Sequence, residues 1–103
     1  MWAQLITARL KPGKEGDLST MVEQLKATEQ PGSGLVRSMV IHDQSDPRRI
    51  HILAVFESEE KARARESDAA RQEALAGVRE IMASAFEGAP EFLDLVVIEE
   101  FTL

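Results

Sequence analysis

The chain has 103 residues, 44% hydrophobic and 29% charged, with a formal net charge of −6 and no cysteine; that length holds one domain with a small core, expected over residues 1–103. Without cysteine there can be no disulfide, thiolate metal centre or cysteine nucleophile, and the acidity argues against nucleic acid, whose phosphates need clustered Lys and Arg. No apolar run approaches the roughly 18 residues of a membrane span and Met1-Trp2-Ala3-Gln4 has no basic leader, so a cytoplasmic protein with no membrane partner is expected.

Trp2 to Leu10 reads as a strand, with Trp2, Gln4, Ile6, Ala8 and Leu10 on one face and Ala3, Leu5, Thr7 and Arg9 on the other. Lys11-Pro12-Gly13-Lys14 is a turn, since Pro fixes φ and Gly permits the reversal. From there to Gln30, Leu18, Met21, Val22 and Leu25 fall at the i, i+3, i+4, i+7 spacing of one helical face. Pro31-Gly32-Ser33-Gly34 ends that helix.

Leu35 to His42 and Arg49 to Phe56 are strands joined by the polar turn Asp43-Gln44-Ser45-Asp46-Pro47, which makes an antiparallel hairpin, with Ile41 expected opposite Ile50. The third strand is apolar on both faces: Ile50, Ile52, Ala54 and Phe56 on one, Leu53 and Val55 beside His51 on the other. Such a strand needs cover on both sides. Ser58 stands at an N-cap position with Glu59 and Glu60 behind it. From Lys61 to Glu73 the only apolar residues are alanines, and Ser67-Asp68 is a second capping signal, so a short wet helix is expected to break near Ser67. Ala74, Leu75, Val78, Ile81, Met82, Ala85 and Phe86 then form the stripe of a main helix, stopped by Gly88 and Pro90. Phe92 to Phe101, with the run Leu95-Val96-Val97-Ile98, is the last strand.

The order strand, helix, strand, strand, helix, strand, with crossovers of the usual hand, gives an α+β ferredoxin-like (βαββαβ) fold: a four-stranded antiparallel sheet with the helices on one face. The second face is then bare, and monomers rarely keep apolar patches above roughly 300–600 Å². Burying that face against a second copy would contribute on the order of 10 kcal/mol before association costs, so a homodimer through the open sheet face is expected.

Several segments carry a resemblance. Leu5-Ile6-Thr7-Ala8-Arg9-Leu10-Lys11-Pro12-Gly13-Lys14, the Glu29-Gln30-Pro31-Gly32 stop, the Asp46-Pro47-Arg48-Arg49 hairpin and Phe56-Glu57-Ser58-Glu59-Glu60 together resemble the antibiotic biosynthesis monooxygenase family of dimeric α+β barrels. The resemblance implies a barrel closed by two sheets and a small hydrophobic or aromatic, quinol-like molecule held between sheet and helices. It further implies oxygenation without metal or flavin, and so no cofactor. It places the ligand among Trp2, Ile6, Ala54, Phe56, Arg65 and Met82. Many members carry a Trp where this chain has Phe56, an acid where it has Ala54, and a His where it has Arg65 or Glu66. The haem-degrading relatives use an Asn near Ile6 or Thr7.

Asp94 interrupts an apolar strand: facing the core it would need Arg9 or Arg37 as partner and, with a raised pKa, could act as a base, whereas facing solvent it is a strand-end residue. His51 is the other catalytic candidate. His42 and His51 lie on opposite arms of the hairpin without a third ligand, so no metal site is expected. Trp2 suits the rim of a dimer interface or a stacking wall for a planar ligand. Phe56, Met82 and Phe86 suit the core, with pocket lining as the other use. Arg65 belongs to a charged helix face, or gates a pocket. The functional expectation is a cofactor-independent monooxygenase-like protein; the alternative is a non-catalytic dimeric barrel that binds a small molecule or serves a structural role.

Overall fold

In a pleated strand successive side chains point to opposite faces, and the pairing register of this sheet sorts its residues accordingly. The computed structural model describes residues 1–103, folded as β1 (Trp2–Leu10), α1 (Glu15–Thr28), β2 (Leu35–Asp43), β3 (Asp46–Phe56), α2 (Glu59–Glu66), α3 (Ala69–Ala74), α4 (Ala76–Ala85) and β4 (Phe86–Val96). The strands form one sheet in the order β2-β3-β1-β4, every pair antiparallel. This is the ferredoxin-like arrangement.

Trp2, Ile6, Ala8 and Leu10 of β1 share the helix-facing side with Ile50, Ile52, Ala54 and Phe56 of β3. There Leu10, Met21, Ile50, Val78, Ala85 and Phe86 make the main core, with Leu18, Leu25, Leu75, Ile81 and Met82 packed against it. Trp2, Phe56 and Ala62 make a second cluster at the other end of the sheet. Of the α1 stripe read from the sequence, Met21 is buried and Leu18 and Leu25 pack half-buried against the core, whereas Val22 is outside it. No helix is long and apolar enough to cross a membrane.

The capping residues act as their chemistry requires. Ser58 Oγ accepts the Lys61 N–H at 3.1 Å, and Asp68 accepts those of Ala70 and Arg71 at 3.0 and 3.5 Å, each satisfying helix N–H groups that lack an internal partner. The helical segment breaks at Ser67-Asp68 as expected, and Leu75 divides its remainder into α3 and α4.

Three expectations are corrected. The helix stops at Ala85, not at Gly88 and Pro90, and the last strand starts at Phe86 instead of Phe92. The Lys11 N–H takes the Ala85 carbonyl at 2.8 Å and Phe86 pairs with Leu10. Gly88 and Pro90 sit in an irregular stretch of this edge strand, where the register shifts between Thr7 and Arg9 of β1; Gly88 has φ +67°, and Pro is tolerated at an edge because it has no N–H to offer a neighbour. The strand also ends early, at Val96. Beyond it the Val97 N–H donates to the Met1 carbonyl at 3.2 Å, and Glu100 reaches Arg37 of β2 at 3.3 Å. Finally, Ile41 lies opposite His51, and His42 opposite Ile50. The Gln44-Ser45 loop is tied by Asp43, which accepts the Ser45 N–H and hydroxyl at 2.8 and 2.7 Å, and β3 carries its surplus residues as a bulge next to the loop.

Candidate functional site

The helices leave part of their side of the sheet uncovered. Ile6 of β1 and Phe92 of β4 lie opposite each other on the helix-facing side, followed along the strands by Gln4 opposite Asp94 and Trp2 opposite Val96. Phe92 is 59% exposed although it faces the helix layer. A large aromatic in that position forms an open apolar floor, while Arg63 of α2 overhangs its end. Arg63 donates to Asp94 at 3.0 Å, to Glu66 and Glu59 at 3.3 Å, and its guanidinium carbon lies 5.0 Å from the centre of the Trp2 ring.

Gln4 Nε2 donates to the other Asp94 oxygen at 3.0 Å. This bond and the Arg63 guanidinium hold the Asp94 carboxyl below the usual aspartate range, because both stabilise its charged form. Asp94 therefore does not have the raised pKa of a buried base, and its partners are Gln4 and Arg63, not Arg9 or Arg37. Arg9 instead pairs with Asp46 at 2.7 Å and Arg37 with Glu100. As an ionised acceptor beside the Gln4 carbonyl, Asp94 can receive a hydroxyl hydrogen bond without taking the proton.

The residues proposed for the ligand divide among several places. Trp2 and Phe56 are buried, with ring centres 6.0 Å apart, so Trp2 is a core residue of the single chain and not a rim residue. Ile6 is half-buried on the open strip, and Ala54 packs beside the Trp2 cluster. Met82 packs against the main core. Arg65 points elsewhere: its guanidinium lies 5.3 Å from the Phe56 ring centre and pairs with Glu29 at the end of α1. Gln4, Arg63 and Phe92 were not recognised from sequence. Gln4 carried a signal, since it breaks the apolar parity of β1 as Asp94 breaks that of β4.

His51 lies on the side of the sheet away from the helices, its Nδ1 3.0 Å from Thr7 Oγ1, and so is apart from the strip. His42 Nδ1 lies 2.9 Å from the Asp43 carbonyl at the hairpin end. No group of three His, Asp or Glu residues converges as metal ligands. A cavity of about 430 Å³ is a separate cleft between the end of α1, the loop after it and α2–α3, and Arg65 is the only proposed ligand residue that lines it.

No protein-family model and no curated protein matches the chain. Solved structures do. A protein of Nitrosomonas europaea assigned as an antibiotic biosynthesis monooxygenase superposes with a TM-score of 0.78 at 14% identity, covering 96% of this chain and 100% of that one. One so assigned from Chloroflexus aurantiacus J-10-fl is 25% identical with a TM-score of 0.70, over 99% and 98% of the two chains. A third, from Caulobacter crescentus CB15, gives 0.76 at 16% identity over 95% and 90%. The chain thus has the fold of the antibiotic biosynthesis monooxygenase family, the family that its turns and strand ends resemble in sequence.

Proposed function

We propose that this chain binds a small hydrophobic or aromatic, quinol-like molecule between its sheet and helices and oxygenates it without metal or flavin. One observation carries the reading: Phe92, 59% exposed on the helix-facing side, lies beside Ile6 with the hydrogen-bonded Gln4 and Asp94 next along the strands. A planar ring would stack on Phe92, and its hydroxyl would donate to Asp94 or to the Gln4 carbonyl. Few polar groups at the margin of an apolar surface are what orients a small ligand.

With a hydroquinone as substrate the reaction balances without a cofactor. One atom of O₂ enters the ring as a hydroxyl, the other leaves as water, and the substrate supplies the remaining two electrons by becoming the quinone. The test is 1,4-naphthohydroquinone. Saturable binding under argon, followed in air by oxygen uptake, hydroxynaphthoquinone and no peroxide, is expected. Phe92→Ala should weaken binding by about tenfold, the scale of one aromatic contact plus its burial. Absence of saturable binding would refute the site.

Turnover fails separately. The depressed pKa of Asp94 favours a second reading, a binding barrel without catalysis, because a carboxylate held in its charged form is a weak base. Binding without oxygen uptake above the protein-free rate would select it.

The opposite face of the sheet supports a homodimer. Met39, Leu53, Leu5 and Leu93 stand level across the strands, and Met39, Ile41 and Leu93 are 42%, 48% and 55% exposed. A second copy of the chain would cover them.

A further inference from the structure

The cleft behind α2 has chemistry unlike the strip. It is lined by Ala27–Ser33 at the end of α1 and its loop, and by Lys61, Ala64, Arg65, Asp68, Ala70, Arg71 and Ala74 across from them, around about 430 Å³. That volume is within the range of small-molecule sites. Its charged lining is the three cations Lys61, Arg65 and Arg71 and the two carboxylates Glu29 and Asp68.

Two of these charges are already committed: Asp68 caps α3 through Ala70 and Arg71 N–H groups, and Lys61 pairs with Glu57. What remains is two guanidiniums on one carboxylate. Arg65 pairs with Glu29, whereas the Arg71 terminal nitrogen is 3.9 Å from the same Glu29 oxygen, beyond hydrogen-bond range. The side chains of Arg65 and Arg71 are only 13% and 14% exposed, and the Nε atoms of both are buried without a partner. Burial, with the neighbouring Arg65 charge, pulls the Arg71 pKa down. A nearly buried guanidinium whose one ion-pair partner, Glu29, is shared with Arg65 and lies beyond hydrogen-bond range is costly, and it lines an open cavity.

We infer that this cleft is a binding site for a small organic molecule carrying one carboxylate, held by Arg71 together with Arg65. One carboxylate meets the planar guanidinium fork edge to edge and gives Arg71 the hydrogen-bonded partner that Glu29 does not. A dianionic phosphate would place more negative charge next to Glu29 and Asp68. The cleft is distinct from the Phe92 strip: none of Ile6, Phe92, Gln4, Asp94 and Arg63 lines it.

The test is titration with cyclohexanecarboxylate, its neutral isostere cyclohexanecarboxamide, and inorganic phosphate, followed by backbone amide NMR. Saturable shifts of the Gly32, Ser33 and Arg71 amides are expected with the carboxylate alone. Arg71→Gln should weaken that binding by at least about tenfold, the loss of a charge-assisted pair. Glu29→Gln should strengthen it, because the resident competitor for Arg65 is gone. No saturable shift at these amides would overturn the site. Equal binding of the carboxamide, or tighter binding of phosphate, would overturn its assignment to a carboxylate. These comparisons use the wild-type chain, so they decide the matter even if Arg71→Gln does not fold.

Discussion

Asp94 takes its chemistry from its neighbours. On a bare edge strand it would titrate as an ordinary aspartate; here the Gln4 amide and Arg63 guanidinium stabilise its charged form. A carboxyl depressed in the folded state stabilises the fold above the unfolded pKa, and loses that contribution as pH falls through the folded pKa. Asp94→Asn is therefore expected to lower the melting temperature slightly at neutral pH. The difference should shrink as pH passes below about 4, the unfolded aspartate value, and disappear at still lower pH. Thermal melts of both proteins across that range check this, and a difference independent of pH would contradict it. The sequence marked Asp94 as an oddity in an apolar run but could not supply its partners, which come from a strand 90 residues away and a helix 31 residues away. Arg63 looked like one of several exposed charges on a wet helix, and only the fold brings it over Trp2.

The elements were legible where local chemistry decides them. Ser58 and Asp68 announce two helix starts, and the Leu18, Met21, Leu25 stripe announces the buried face of α1. The helix-to-strand junction at Ala85-Phe86 was not legible, because apolar residues at helical spacing continue through it and the competing partner, Leu10, is far along the chain. Gly88 and Pro90 were punctuation with two meanings, a helix stop or an edge-strand bulge, and pairing chose the second. Gly34 has a firmer role. At φ +87° a Cβ there would lie 2.6 Å from Lys61 Cβ, so the loop can approach α2 only if residue 34 is glycine. Gly34→Ala should cost about 1–3 kcal/mol, from left-handed strain and the displaced Lys61 together. Gly88→Ala, at φ +67° with nothing within 4 Å, should cost less. Urea unfolding of the two variants separates crowding from strain, and equal losses would contradict the close-packing account.

At the scale of the whole molecule, the sheet gives each face a different task. The helix-facing side closes the core and leaves the Phe92 strip open at its β4 edge; the other side is an apolar layer that leaves Met39, Ile41 and Leu93 exposed. That second face was legible from the two-sided apolar pattern of β3. Leu53 lies opposite Leu5 and Met39, and in the proposed homodimer an aspartate there would bury a charge in each copy. Leu53→Asp should therefore yield monomer, read by sedimentation velocity.

Native mass spectrometry of the wild-type chain with 1,4-naphthohydroquinone under argon tests both tasks together. The account predicts a dimer with one ligand bound per chain, the ligand lost selectively in Phe92→Ala. A monomer would contradict the covered face, and a dimer that takes up no ligand would contradict the site on which the proposed function rests.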